Sequence, residues 1–103
     1  MRDNHYLTVL RPPRATFPGD ATPAEAAAID RHFDYLKRLL ADGVLVLAGR
    51  TEDASMGLVV FKAADEASAR AVMEADPAIR AGVFKGTLYP YRLALLAGSG
   101  QSL

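Results

Sequence analysis

Few side chains in this sequence are equipped for acid–base or nucleophilic chemistry. Cysteine is absent and there are two histidines, His5 and His32. Imidazole is the side chain best suited to carrying protons near neutral pH. His32 lies three residues after Ile29 and four before Leu36, a helical spacing that turns it toward the apolar side. On spacing alone, a hydrogen-bonded core histidine is the simpler reading. Asp30 and Asp34, two residues to either side, face elsewhere on a helix and cannot orient the ring. Asp76 precedes Pro77, which fits an N-cap followed by proline at the first helical position. Arg50 follows Ala48-Gly49, and Arg11 and Arg14 follow the first apolar run. Guanidinium forks match carboxylates, so these three arginines are candidate substrate clamps, although solvated strand ends also account for them. His5 reads as a surface strand residue, and Tyr6, Tyr35, Tyr89 and Tyr91 as packing.

Other chemistries find little footing. Two histidines far apart, without the spacing of a helical metal site, argue against a metal centre. Ser55, Ser68, Ser99 and Ser102 all lie outside a G-x-S-x-G context, so no nucleophile elbow is visible. Phosphate-binding glycine motifs are also missing, and no cofactor is expected. Without cysteine there is neither a disulfide nor a thiolate centre.

Acidic and basic residues balance at 12 each in 103 residues. A nucleic-acid or anionic-membrane surface needs a basic excess, so neither partner is expected. The first residues combine charges with a short apolar run, unlike a secretory signal. No stretch approaches the roughly 20 apolar residues of a membrane span. The cytoplasm is the default location. Length and a 50% apolar composition fit one globular domain, placed at residues 1–97 with a frayed tail over 98–103.

The elements that must position these residues follow from pattern. His5 to Arg11 is a β-branched and aromatic run closed by Pro12-Pro13, and reads as a strand. Pro12 to Ala21, with three prolines and Gly19, is a long loop of the kind that is often functional. Thr22-Pro23-Ala24-Glu25 starts a helix through a capping box, and Gly43 ends it. Ile29, Phe33, Leu36, Leu39 and Leu40 share its apolar face, opposite Asp30, Arg31, Asp34, Lys37 and Arg38. Strands are predicted at Val44 to Gly49, Gly57 to Lys62 and Leu88 to Leu96. A second helix spans about Asp65 to Ala75, stopped before Pro77, with a short helical turn to Gly82.

The order βαββαβ predicts a ferredoxin-like α+β fold, a four-stranded antiparallel sheet with two helices on one face. Strands two, three and four are apolar on both faces, where a wetted face would alternate. So large an uncovered apolar face predicts a homodimer through the sheet. RNA-recognition domains share the topology, but Met56 to Phe61 lacks their basic-aromatic pattern.

Three segments in order carry a family resemblance. Arg31-His32-Phe33-Asp34-Tyr35-Leu36 leads through Gly43 into Val46-Leu47-Ala48-Gly49. Ala75-Asp76-Pro77 follows, and then Ala81-Gly82-Val83-Phe84 with Tyr89-Pro90-Tyr91. The sequence resembles the YCII-like family of dimeric α+β barrel proteins over nearly its whole length. The resemblance implies a face-to-face sheet dimer and a pocket in which a histidine and an aspartate act together, here His32 and Asp76. It also implies lyase-type chemistry on ring compounds in some members. Arg50 stands where the family usually has proline after Ala-Gly, and the loop after strand one is longer than in the shortest members. The expected function is therefore a small-molecule enzyme using lyase- or hydrolase-type acid–base chemistry. The alternatives are a non-catalytic ligand-binding or regulatory dimer and a structural partner of a larger enzyme.

Overall fold

Helix α1, Pro23–Ala41, begins where its cap dictates. The Thr22 hydroxyl accepts from the Glu25 amide at 3.1 Å, and the Glu25 carboxylate accepts from the Thr22 amide at 2.9 Å. These two bonds satisfy two of the donors that a helix start leaves open. Gly43, at φ +75°, takes the left-handed conformation that ends the helix. The computed structural model, which describes residues 4–98, places α1 beside a sheet made from β1 (His5–Arg11), β2 (Leu45–Arg50), β3 (Gly57–Lys62) and β4 (Lys85–Tyr91). Helices α2 (Glu66–Glu74) and α3 (Pro77–Arg80) precede β4. The predicted tail residues 99–103 lie outside the described residues.

The strand order is β2-β3-β1-β4 with every pairing antiparallel, the ferredoxin-like arrangement. Tyr6, Thr8 and Leu10 of β1 pair with Phe61, Val59 and Gly57 of β3, and this face carries the core. Phe61 is fully buried there, packed with Ala69, Val72, Ile79 and Leu88. Burying one such side chain contributes about 1.5–3 kcal/mol. By strand alternation Leu7, Val9, Leu58 and Val60 face the other way, with Tyr89 of β4 beside Leu7. Its apolar character is as expected, and Val60 is already buried there while Leu7, Val9 and Leu58 are partly buried.

Two expectations are corrected. Strand four was placed at Leu88 to Leu96 but runs from Lys85 to Tyr91. It pairs with β1 alone, and β1 begins at His5, opposite Tyr91. Beyond Tyr91 the regular ladder stops, with a single bridge at Leu95, whose side chain is 77% exposed. On α1, Phe33 and Leu40 were assigned to the buried face, yet they are 59% and 60% exposed. The buried stripe is Ala28 and His32, with Leu36 partly buried beside them. Ala28 has no bulk to hold the helix off Phe17 and Val83, so α1 sits rolled toward that side.

The loop after β1 is ordered by one arginine. Arg14 donates from Nε to Asp20 at 3.0 Å, and from Nη1 and Nη2 to Glu25 at 2.9 and 2.7 Å. Hydrogen bonds from Arg14, then from the Thr22 amide, hold the Glu25 carboxyl down at about 2. Asp20 is likewise lowered, first by Arg14. This clasp delivers Phe17 into the core, where it meets Phe84 edge-on with centroids 6.0 Å apart.

A glycine sets the spacing between the sheet and the second helical unit. A Cβ on Gly86 would stand 2.8 Å from the Ile79 Cδ1 and 3.2 Å from the Met73 sulfur. Gly86→Ala is therefore expected to be tolerated by rotation of the flexible Ile79 tip. Gly86→Val should lower unfolding free energy by about 1–3 kcal/mol, read from urea denaturation, as overpacked cores do. A second expectation concerns acid. The folded Glu25 value of about 2 lies below its ordinary 4.5, so its contribution is full above pH 4.5 and is lost as pH falls toward 2. The stability gap between wild type and Glu25→Gln should close over that window in a pH series of urea melts.

Candidate active site

His32 occupies the middle of the buried stripe of α1 and is 9% exposed. Asp76 sits at the junction of α2 and α3 and is 4% exposed. The two residues are 44 apart in sequence, and His32 Nδ1 lies 2.6 Å from Asp76 Oδ2. The other carboxylate oxygen accepts from the Ala78 amide at 2.9 Å, so Asp76 caps α3 and holds the imidazole at once. An ionised carboxylate can only accept, so Nδ1 carries the proton of this bond and the lone pair of the neutral ring is on Nε2. The ring edge is fixed a second time by Phe84, whose centroid is 5.3 Å away at 82°. Tyr35, three residues after His32, donates to the Val72 carbonyl at 2.7 Å and so ties α1 to α2. Burial raises the Tyr35 hydroxyl above its ordinary value, and the charge of Asp76 adds to the effect.

His32 borders a cleft of about 520 Å³, while Asp76 lies behind it, outside the lining. The walls come from Pro12, Phe17 and Pro18 of the clasped loop, from α1, from β2 and β3, and from Phe84. That volume is within the range of small-molecule sites.

The predicted arginines separate. Arg50, the last residue of β2, lines the cleft. Its Nη1 donates to the carbonyls of Thr51 and Glu52 at 3.0 and 3.1 Å, which seats the side chain on the β2–β3 turn. That turn is braced by Asp53, whose carboxyl is held at about 2 by hydrogen bonds from Ser55 and Thr51. Arg11 is exposed at the end of β1, opposite Lys85 and away from the cleft. Arg14 is occupied by Asp20 and Glu25, and contributes by holding the loop in place. Sequence reasoning missed Lys37, which it assigned to the solvent face. With α1 rolled, Lys37 lines the cleft and its ammonium lies 5.4 Å from the Phe33 ring centre. It also missed Phe84 and Tyr35 as neighbours of the pair. The spacing of Tyr35 from His32 was the available signal for the latter. Among the described residues, no group of three His, Cys, Asp or Glu side chains could hold a metal ion. Nor is any described helix long and apolar enough to cross a membrane.

The fold is shared with solved structures, among them the following two. The first is 5-chloro-2-hydroxyhydroquinone dehydrochlorinase from Burkholderia phenoliruptrix AC1100, in complex with 2,5-dihydroxybenzoquinone. It is 21% identical with a TM-score of 0.57, over 84% of this chain and 93% of that one. Muconolactone isomerase is 14% identical with a TM-score of 0.67, over 95% of this chain and 96% of that one. Identities this low establish likeness of fold alone. No curated protein matches the sequence. The model of the YCII-related domain matches residues 9–89, from the second half of β1 to within two residues of the end of β4, and the chain belongs to the YCII-related family.

Proposed function

We propose that the protein is a small-molecule enzyme in which His32 takes up and returns a proton through Nε2 while Asp76 positions the ring. The observation that carries this reading is the 2.6 Å bond between a buried carboxylate and an imidazole that borders a ligand-sized cleft. Asp76 fixes the tautomer and the ring plane, which leaves Nε2 as the nitrogen for substrate. Proton abstraction followed by elimination, isomerisation or hydrolysis suits one such base. The two fold neighbours, a dehydrochlorinase and an isomerase, point to cyclic compounds as the first to screen. Turnover of hydroxyquinones or unsaturated lactones, followed by absorbance, is the assay. His32→Ala should lower kcat by about 10²–10⁴-fold. Asp76→Asn and the double variant should fall similarly, because residues acting as a unit are not additive. Ring ¹⁵N shifts provide a readout without substrate: wild type should show the Nδ1–H form, and Asp76→Asn should lose that preference. A His32→Ala variant with unchanged turnover would overturn the assignment. Ligand binding without turnover of any compound would favour a ligand-binding or regulatory role.

The working unit in this proposal is a homodimer through the open sheet face. Leu7, Val9 and Leu58 face that way and are only partly buried, with Tyr89 beside Leu7 49% exposed, and an apolar face of this kind suits a second copy. Sedimentation velocity at micromolar concentration should give a dimer for wild type and a monomer for Val9→Lys. A folded monomeric wild type would refute this arrangement.

A further inference from the structure

We propose that the cleft selects an amphipathic monoanion, an apolar body bearing one carboxylate, with Arg50 and Lys37 as the specificity-determining residues. The inference rests on the reading of the cleft as the substrate site. Of the side chains that line it, only His32, Lys37 and Arg50 are polar, and all the rest are hydrocarbon, thioether or glycine backbone. No carboxylate, hydroxyl or amide faces the space, although the chain as a whole carries 12 acidic and 12 basic residues. The two positive charges come from different elements, Arg50 from the end of β2 and Lys37 from α1.

This composition sorts ligands by chemistry. A cation would face two like charges with no acceptor to pair with. A polyhydroxylated neutral molecule would leave most of its hydroxyls unpaired against an apolar wall, which costs about 1–3 kcal/mol for each buried group. An anion with an apolar body meets complementary groups at every point. Arg50 is preset for the role: Nη1 is engaged by two backbone carbonyls, and Nε and Nη2 have no partner among the described residues. Those two nitrogens form one side of the guanidinium fork, the side that takes a carboxylate in bidentate fashion. Lys37 has no carboxylate partner among the described residues, and it rests over the Phe33 ring, whose face favours a cation. Lys37 is five residues beyond His32, about 7.5 Å along the helix axis. His32 lines the same cleft as both cations, so an apolar body seated there shares the space with the imidazole.

Matched pairs of ligands test this. Binding of 2-naphthoate and 2-naphthamide (a flat ring body), and of octanoate and octanamide (a flexible chain), is measured by titration calorimetry. Their position is located by the NMR shifts of His32 and Phe84. One or both carboxylates should bind wild type at least tenfold more tightly than the matching amide, the scale of a charge-assisted hydrogen bond. The ring and chain arms show which body the cleft accepts. Arg50→Gln should remove about tenfold from the carboxylate and leave the amide unchanged, and Lys37→Gln should have a smaller effect of the same kind. Both positions are exposed, and circular dichroism confirms folding of the variants. Equal binding of acid and amide at the cleft overturns the inference and leaves the reading of the site intact. If neither class binds, or if His32 and Phe84 do not respond, both fail. A carboxylate preference that survives both substitutions overturns the role of these two residues.

Discussion

A carboxylate removed from water must be paired, and in this protein the pairing of Asp76 decides where the helices lie. Its two oxygens are shared between the first turn of α3 and the imidazole of α1. Leaving such a buried group without its partner costs about 1–3 kcal/mol, a large share of the stability of a domain this size. The bond therefore fixes more than a side chain. It joins the first βαβ unit to the second on the helix side of the sheet, and it sets the roll of α1 that turns His32 inward and Phe33 outward. The hydroxyl of Tyr35, one turn further along, makes the same junction from α1 to α2. A pair of this kind is preorganised because the fold needs it there for packing as well.

The cleft is a product of the same roll. A helix turned toward Phe17 and Val83 leaves a gap on its other side, and Phe33, Lys37 and Leu40 line that gap with the end of β2. The loop after β1 closes one wall. It does so as a built structure: the guanidinium of Arg14 reaches across to the capping residue of α1, so the helix start and the loop are one electrostatic unit. Phe17, carried on that loop, supports Phe84, and Phe84 supports the ring of His32. A chain of packed side chains thus runs from a surface ion cluster to the imidazole of His32.

Local chemistry was legible in the sequence wherever a short segment determines its own structure. The capping box at Thr22 and Glu25, the glycine stop at Gly43 and the proline after Asp76 all act within a few residues, and each element starts or stops where they stand. The sheet topology followed from element order. Features that depend on distant partners were misread. Leu93 to Leu96 has the composition of a strand, yet β4 ends at Tyr91 and only a single bridge at Leu95 follows. Phe33 and Leu40 have core composition, and only the position of α1 against α3 and β2 turns them out. Arg14 and Arg50 are indistinguishable in local pattern. One meets two carboxylates and the other meets a hairpin turn. The His32–Asp76 contact spans 44 residues and was suggested by resemblance, since nothing in either neighbourhood encodes the other.

The rims of the sheet bear on how copies of this chain can meet. Pro90 lies within β4, an edge strand, and offers no amide hydrogen to an incoming strand. On the opposite rim the register of β2 slips between Leu45 and Leu47, which breaks the even ladder that strand addition requires. Both rims are thus poor templates for open-ended growth, a common hazard of exposed sheet edges. In the proposed dimer, association falls instead on a face, where side-chain contacts close after one partner. The same proline and the same irregularity that interrupt regular pairing thereby keep an apolar sheet from propagating into fibres.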